Sequence, residues 1–475
     1  MTTTLITRGT LITPRGEIRG DLLLADEKIA ALGPDLATEG ADRVIDAAGC
    51  IVLPGLVDPH THIVLDTGIY KTPDDWAVGT RTAACGGVTT VIDFATQFAG
   101  QDMHRALAAR QAEIGGLAQI DYGLHMMLTA LPEADAELEA WMVDLLAAGI
   151  NSIKVYTTYR PNYYQDDDAL LRVFRAAAAH DVVVMIHCEN DALVSAARER
   201  LVRAGKTALA YHGQARPALA EVEAANRVLF LADRAREQGR KGAEEQRSPF
   251  GGAGGPTVYV VHCSASGTVE QVALAAANGQ RAIAETTVQY LTLDESVYAG
   301  ERPETGIMQP PLREGNEKML LWKQVVDGAI STIGTDHCDY TIDQKREHTE
   351  FTKTPGGIPG LETLLPLLAT EGVAAGRITW SRLVEVCSAN PARIFGLRDK
   401  GRLVPGAAAD VVIYDPRVEG TLQAEKLHNL AGYTPYEGRR VQGAVRDVFS
   451  RGRQLVREGE FIPAPGWGRF VAAAA

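Results

Sequence analysis

The sequence predicts an α/β protein, a (β/α)8 barrel of the TIM type with a small β-sandwich domain built from both chain ends. In the middle of the chain, apolar strand runs alternate about eight times with alanine-rich helical stretches, which is typical of a parallel barrel or a doubly wound sheet. Both ends read instead as short strands separated by glycine and proline. The barrel is favoured because polar residues stand at the C-terminal ends of the strands, where barrel active sites lie.

The change from short strands at both ends to alternating strands and helices in the middle divides the chain of 475 residues into three ranges. Residues 1–54, with runs such as LITRGTLIT, are expected to form the N-terminal part of the β-sandwich domain. Residues 55–395 are expected to form the barrel, and residues 396–475 the C-terminal part of the β-sandwich domain and a tail. A polar, glycine-rich stretch at 236–256 predicts a surface excursion between a helix and the next strand.

Charge and composition exclude several classes of protein. The chain has 47 Lys and Arg against 60 Asp and Glu, a formal net charge of −13, which argues against nucleic acid or an anionic membrane as the main partner. No run approaches the roughly 18 apolar residues of a membrane span, and the first residues lack the pattern of a signal peptide. Six cysteines without a CxxC pair indicate neither a disulfide framework nor a structural zinc ribbon. A soluble, cytoplasmic protein with a small-molecule substrate is therefore expected.

Metal-competent side chains stand at the ends of several predicted strands. In PGLVDPHTHIV, His60 and His62 are two residues apart, so on an extended chain they point to the same side. His187 ends the run VVVMIH, His262 ends VYVVH, and Asp336 follows ISTIGT. Each alone is more often a hydrogen-bonded core residue or a cap than a ligand. Four histidines and a carboxylate at matching strand ends predict a metal site.

A lysine occupies the equivalent place on another strand. Lys154 lies in the middle of NSIKVYTTY, where an unpaired buried ammonium would be costly. Burial and neighbouring cations both lower the pKa of a lysine, which favours its neutral amine. A neutral amine reacts with carbon dioxide to form a carbamate, an anionic group whose two oxygens can bridge two ions. Carboxylation of Lys154 is therefore expected.

Together these motifs resemble those of the cyclic amidohydrolases, and within them the dihydropyrimidinase and hydantoinase family. The resemblance covers nearly the whole chain. The stretches that carry it are LPGLVDPHTH, GGVTTVIDFATQ, DYGLHMMLT, SIKVYTTYR, MIHCEND, VVHCSASG, ETTVQYLTLDES, QPPLREGNEK, STIGTDHCDYT and GAAADVVIYDP.

The resemblance implies that residues 55–395 form a metal-dependent hydrolase barrel. It implies an enzyme that opens the rings of cyclic amides such as hydantoins and dihydropyrimidines to N-carbamoyl amino acids. Two zinc ions, or other divalent ions, per chain are expected by the same resemblance. The expected ligands are His60 and His62 for one ion, His187 and His262 for the other, N6-carboxylysine at Lys154 as the bridge, and Asp336, which completes the first.

The resemblance also implies catalytic roles. In such enzymes a hydroxide shared by two metal ions attacks the ring carbonyl, and the residue matching Asp336 carries the proton to the departing nitrogen. Tyr159, five residues after Lys154, matches a tyrosine whose hydroxyl stabilises the developing oxyanion. The plainer alternative for Tyr159 is a tyrosine at the barrel rim that packs a loop.

Four residues are expected to contact the substrate: Tyr159, Leu65, Gln309 and Gly356. Leu65 belongs to an apolar run after the HxH motif, where dihydroorotases typically carry an arginine and allantoinases an acidic loop with Gly-Arg. An apolar run suits a neutral or hydrophobic ring substituent. Gln309 stands where hydantoinases commonly have the serine of SPPLR, and Gly356 or Gly357 where they commonly have an asparagine. These departures leave the exact ring open.

Two alternatives stay open. One is an allantoinase-like or cyclic-imide hydrolase with the same mechanism. The other is a non-catalytic dihydropyrimidinase-like interaction protein, although all six ligand positions are filled here. Relatives of this family are generally tetramers, so a homotetramer is expected, in which Trp467 and Phe470 could pack on a neighbouring subunit.

Overall fold

The structure, a computed structural model, describes residues 2–37, 40–239 and 255–474. Most of the excursion predicted at 236–256 falls on residues 240–254, which lie outside the described residues. Within the described ranges, no helix combines the length and the apolar character that crossing a membrane requires.

The chain begins with strands rich in Val, Ile, Leu and Thr, residue types that favour extended backbone. The first pairs antiparallel with the second and parallel with the fourth and fifth. These strands are β1 (Thr3–Thr13), β2 (Gly16–Ala25), β3 (Lys28–Gly33), β4 (Arg43–Asp46) and β5 (Ile51–Pro54).

Eight parallel strands follow, and each pairs with the next in chain order. Their residues are buried almost throughout, as expected of strands covered on both faces. The strands are β6 (Leu56–Thr61), β7 (Val88–Gln97), β8 (Asp121–Leu128), β9 (Ser152–Tyr156), β10 (Val183–His187), β11 (Thr257–Val260), β12 (Arg281–Thr287) and β13 (Ile330–Gly334).

The first and last of these strands meet through contacts at their C-terminal ends. Thr335 donates its Oγ1 hydrogen to Asp58 Oδ2 at 2.6 Å, and its backbone N–H to Asp58 Oδ1 at 3.2 Å. The His62 N–H donates to the His337 carbonyl at 2.8 Å. These contacts bring β6 against β13, so the eight strands form a nearly closed barrel.

Helices connect the barrel strands. Several begin at an Asp or Asn whose side chain accepts a backbone N–H of the first turn, as at Asp75, Asp102, Asp166 and Asn190. The helices are α1 (Trp76–Cys85), α2 (Met103–Ile114), α3 (Asp135–Ala147), α4 (Asp167–His180), α5 (Asp191–Arg203), α6 (His212–Ala215), α7 (Ala218–Gly239), α8 (Ser266–Ala277), α9 (Val288–Thr292), α10 (Gly315–Val326), α11 (Ile342–Arg346), α12 (Leu364–Leu368), α13 (Trp380–Val384) and α14 (Asn390–Ile394).

The C-terminal strands complete the first sheet: β14 (Val411–Thr421), β15 (Arg440–Ser450), β16 (Arg453–Arg457) and β17 (Glu460–Phe461). The strand order is β17-β16-β15-β14-β5-β1-β2-β3, with β4 beside β1, and β14 pairs antiparallel with β5. Leu11, Val411 and Phe449 share one apolar core there. The fold class predicted from the sequence is confirmed, a parallel barrel beside a sheet built from both ends. The boundaries after residues 54 and 395 stay a prediction.

The tail packs against its own barrel. The Tyr122 N–H donates to the Arg469 carbonyl at 2.9 Å, and the Phe470 and Tyr122 ring centroids lie 5.9 Å apart. The Arg451 guanidinium lies 4.2 Å from the Trp467 ring centroid. Trp467 and Phe470 thus pack within the chain where the tail turns back along β8, and both stay half-buried; a subunit contact through them stays a prediction.

Candidate active site

The six predicted ligands meet at the C-terminal mouth of the barrel. His60 Nε2 and His62 Nε2 lie 3.3 and 3.2 Å from Asp336 Oδ1. Lys154 Nζ lies 3.4 Å from His60 Nε2. The remaining pair is adjacent: the His187 and His262 ring centroids are 4.6 Å apart, and His262 stacks on His60 at 5.4 Å. The His60, His62 and Asp336 ligand atoms are close enough to hold one ion.

Parallel strands explain this convergence. His60 is near the end of β6, Lys154 lies in β9, His187 ends β10, and His262 and Asp336 lie two residues beyond β11 and β13. Adjacent parallel strands end at one rim, so residues far apart in sequence meet there.

Glu285 fixes the orientation of His60. Its Oε1 lies 2.8 Å from His60 Nδ1 and also accepts the His262 backbone N–H at 2.9 Å, while Tyr259 donates to Oε2 at 2.8 Å. Burial raises the pKa of Glu285 to about 7, and in its ionised form its oxygens only accept, so His60 then carries its proton on Nδ1 and keeps the Nε2 lone pair towards Asp336 and Lys154. This is the arrangement by which a carboxylate orients a metal-binding histidine.

Glu189 plays the same part for His187. Its Oε2 lies 2.6 Å from His187 Nε2, and Arg216 Nε donates to its two oxygens at 3.0 and 3.1 Å. Burial raises the pKa of Glu189, but the Arg216 and His187 contacts outweigh burial and hold the pKa well below its usual range. The ionised carboxylate accepts the hydrogen bond of the His187 Nε2–H, so the proton stays on Nε2 and the Nδ1 lone pair is free to bind a metal.

The ligand groups are in protonation states that suit a cation. Burial lowers the pKa of His60 and of His262 well below the usual range, so both imidazoles are neutral. Among the described residues, His262 Nδ1 is buried without a hydrogen-bond partner. Lys154 is 1% exposed, and burial lowers its pKa although Asp336 and Glu285 oppose the shift. The histidine and carboxylate donors therefore fit divalent ions, and with its pKa at about 8 the amine of Lys154 is neutral in a fraction of the molecules near pH 7.

Tyr159 faces the same mouth. Its ring centroid lies 5.0 Å from that of His187, and the Arg216 guanidinium lies 5.0 Å from the Tyr159 centroid. Burial raises the pKa of Tyr159 above its usual range, and Arg216 opposes the shift. The hydroxyl therefore stays protonated at neutral pH and can donate a hydrogen bond.

Strained backbone marks several of these positions. Tyr159, His262 and Asp336 have φ values of 72°, 39° and 49°, and Val64, just after the HxH motif, has 56°. Left-handed φ is uncommon outside glycine and concentrates at functional sites. Tight turns at the strand ends thus aim these side chains into the mouth.

The predicted substrate contacts fall in two places. Leu65 lines a cavity of about 320 Å³ together with His62, Phe94 and Phe98. Gln309 and Gly356 lie against each other elsewhere, so close that a Cβ at 356 would come within 2.0 Å of the Gln309 Oε1. The cavity shares His62 with the ligand group, whereas among the described residues no hydrogen bond or ion pair joins Gln309 or Gly356 to the six ligands.

A second buried group lies behind Asp336. Asp74, His337 and Asp339 are close enough together to be considered as ligands. However, His337 Nδ1 accepts the Gly360 N–H at 3.1 Å, so its proton is on Nε2, which faces both carboxylates. With its proton there, Nε2 cannot bind a metal.

Sequence reasoning missed Glu189, Glu285 and Arg216. Glu189 lies in MIHCEND, two residues after His187, and Glu285 opens ETTVQY at the end of β12. Their signal was available, because a carboxylate beside a metal-competent strand end commonly orients a ligand histidine. Arg216 lies in the loop between α6 and α7 and carries no such signal.

Comparison with known proteins supports this geometry. The sequence pattern of the amidohydrolase family matches residues 51–455. The D-phenylhydantoinase of Escherichia coli O17:K52:H18 is 37% identical over 473 residues, 98% of this chain and 97% of the relative. The crystal structure of dihydropyrimidinase from Brevibacillus agri is 33% identical with a TM-score of 0.92, and that of a D-hydantoinase 34% identical with a TM-score of 0.92. Each comparison covers 100% of this chain and 99% of the other.

These matches confirm the family and the type of enzyme predicted from the motifs. The chain belongs to the amidohydrolase family, in its dihydropyrimidinase and hydantoinase branch.

Proposed function

We propose that this enzyme hydrolyses the rings of cyclic amides, hydantoins and dihydropyrimidines, to N-carbamoyl amino acids with the help of two divalent metal ions, zinc in the first instance. The observation that carries the proposal is the convergence of six ligand-type side chains, with Glu189 and Glu285 turning histidine lone pairs into the site. The printed names of the relatives, D-phenylhydantoinase and dihydropyrimidinase, support the substrate class.

The ligand assignment follows from which groups lie together. His60, His62 and Asp336 would hold one ion, and the adjacent pair of His187 and His262 the other. An ammonium on Lys154 would repel both ions, whereas its carbamate supplies two anionic oxygens. N6-carboxylysine at this position is therefore part of the proposal. Bound divalent ions would supply a Lewis acid for the carbonyl oxygen and lower the pKa of a water.

Asp336 is proposed as the group that moves the proton. Burial raises its pKa, but His60 and His62 outweigh burial and hold the pKa below its usual range. It is therefore a carboxylate at neutral pH. It would accept the proton of the attacking water and deliver it to the ring nitrogen as the C–N bond breaks.

Tyr159 is proposed to stabilise the negative charge that develops on the carbonyl oxygen. Its hydroxyl is a hydrogen-bond donor at neutral pH. Arg216 lies over the ring and fixes its position. A donor held in place before the reaction lowers the barrier more than one that must be reoriented.

The cavity beside His62 is proposed to receive the ring substituent. Its lining is mixed: Leu65, Phe94 and Phe98 are apolar, whereas Asp66, Asp93, Glu113 and Arg110 are charged. Arg110 already pairs with Asp93 and Glu113, so the acidic excess disfavours a carboxylate, and an apolar or aromatic substituent would lie against the apolar residues. Assembly as a homotetramer and location in the cytoplasm stay predictions.

A substrate panel tests the proposal. The panel contains hydantoin, 5-phenylhydantoin, dihydrouracil, dihydrothymine, allantoin and succinimide, and loss of ring absorbance reports hydrolysis. We expect 5-substituted hydantoins or dihydropyrimidines to be the best substrates by kcat/KM. Preference for allantoin or succinimide would favour the alternative hydrolases, and no turnover of any compound by zinc-loaded protein would refute the proposal.

A further inference from the structure

Two chain segments run together close to Cys338, two residues after Asp336. The first contains Ile307 and Gln309. The second begins at Pro355, and within it the Gly357 N–H donates to the Ile307 carbonyl at 3.0 Å. This second segment also follows the residues after Asp336, because the Cys338 N–H donates to the Ile358 carbonyl at 3.0 Å. The two segments therefore form one wall, which packs on the chain just after the proposed proton carrier.

A buried lysine joins the two segments. Lys345, in α11, is 0% exposed, and its Nζ donates to the Ile307 carbonyl at 2.6 Å and to the Pro355 carbonyl at 2.8 Å. Among the described residues, no carboxylate forms an ion pair with it. Burial lowers the pKa of Lys345 to about 7, so the surroundings of this side chain do not stabilise an ammonium charge. What distinguishes a lysine from an apolar side chain at this position is therefore its two hydrogen bonds to backbone carbonyls.

The Gln309 side chain occupies the space that a Cβ at position 356 would need. A Cβ at 356 would lie 2.0 Å from Gln309 Oε1 and 2.4 Å from Cδ, far inside van der Waals contact. The backbone of Gly356 is not left-handed, so its conformation does not require glycine. Close approach of the Gln309 carboxamide is the remaining reason, and the two residues form a matched pair.

We propose that Lys345 is a positioning residue for substrate recognition: it clamps the two segments so that the Gln309 carboxamide rests on Gly356 at a fixed place, in a wall that packs on Cys338, two residues after Asp336. A carboxamide offers one acceptor and two donors, which complement the N–H and C=O of a cyclic amide. Fixing it before binding reduces the entropy lost when the ring binds. This inference rests on the proposed function for its substrate class.

A double-mutant cycle tests the matched pair. Gly356→Ala is expected to displace the carboxamide and raise KM for the best ring substrate about tenfold, as Gln309→Ala does, because each loses about one hydrogen bond. The double variant should be no worse than Gln309→Ala alone, since the new methyl then has room. Additive effects, or a Gly356→Ala variant with the KM of the wild type, would overturn the pairing.

Lys345→Met tests the clamp. It should raise KM by a similar factor with kcat and metal content little changed, and hydrogen exchange at the Gly357 N–H should become faster. Lys400→Met is the matched control, because Lys400 is also buried but pairs with Asp121 and Asp410 away from the site. A Lys345→Met variant with the KM and Gly357 exchange of the wild type would overturn the inference.

The two arms separate this inference from the proposed function. If no panel compound is a substrate, the proposed function fails. Exchange at Gly357 still decides whether Lys345 positions the wall, because exchange needs no substrate. Unchanged exchange in Lys345→Met refutes the clamp even in an enzyme that hydrolyses hydantoins.

Discussion

Glu189→Gln isolates what one buried carboxylate contributes to the site. Glu189 is fully buried, accepts from His187 at 2.6 Å, and accepts from Arg216 Nε at 3.0 and 3.1 Å. Glutamine keeps the shape of the side chain but loses the charge, and only one of its polar ends accepts hydrogen bonds. The variant leaves Arg216, which is 4% exposed, without a counter-charge and loosens the hold on His187.

Two magnitudes follow from these contacts. Removing one partner of a buried ion pair costs about 3–5 kcal/mol of unfolding free energy, because the other charge stays buried. Losing the carboxylate that orients a ligand histidine lowers metal affinity about 10- to 100-fold. The pKa of Glu189 is lower in the folded chain, so its stabilising effect is present above the unfolded pKa and is lost only as pH falls through the folded value. The full deficit is therefore expected at pH 7.

Urea unfolding of the metal-depleted protein at pH 7 measures the first effect, and competition with a chromophoric chelator measures the second. Glu199→Gln is the matched control, because Glu199 is exposed and pairs with Arg203 at 3.7 Å, a contact worth about 0–1 kcal/mol. If Glu189→Gln matched this control in stability and the wild type in metal affinity, the role assigned to Glu189 would be wrong.

Three further predictions concern single side chains. Lys154→Ala should lose activity and regain part of it with added short carboxylates, as steady-state assays would show; full activity without them would refute the carbamate. Tyr159→Phe should lower kcat about 100- to 1,000-fold with metal content retained, and an unchanged kcat would remove Tyr159 from the mechanism. Lys400→Met removes the cation between Asp121 at 2.6 Å and Asp410 at 2.7 Å, and should lower the unfolding free energy by about 3–5 kcal/mol in urea with KM unaffected. Equal stability would contradict that estimate.

The convergence of the ligand group could be predicted because a parallel barrel brings all its strand ends to one rim. His187 ends its strand, and His262 and Asp336 lie just beyond theirs. The apolar run before each residue therefore indicates that it lies at the C-terminal rim of the barrel. Lys154 lies within β9, and the feature that marked it as a candidate ligand is a positively charged residue in a strand expected to be buried. Their roles as ligands stay a prediction that metal analysis must decide.

Other features depend on contacts between segments that no local pattern specifies. Glu189 and Glu285 could equally have been caps or surface pairs, since their partners lie on neighbouring loops and strands. Lys345 lies in a short helix of mostly polar and charged residues, yet it is buried and donates to the carbonyl of Pro355, ten residues further along the chain. Trp467 packs under Arg451 because the tail turns back on the barrel, a contact that no local pattern indicates, and its role in a subunit contact stays a prediction.

Six side chains are proposed to hold two divalent ions. Elemental analysis of protein purified without chelators, with Lys154→Ala in parallel, tests this claim most directly. We expect about two divalent ions per wild-type chain, as in other paired-metal hydrolytic sites, and fewer in the variant. A wild-type protein that contains no metal, and takes up none from buffered zinc, would contradict the account.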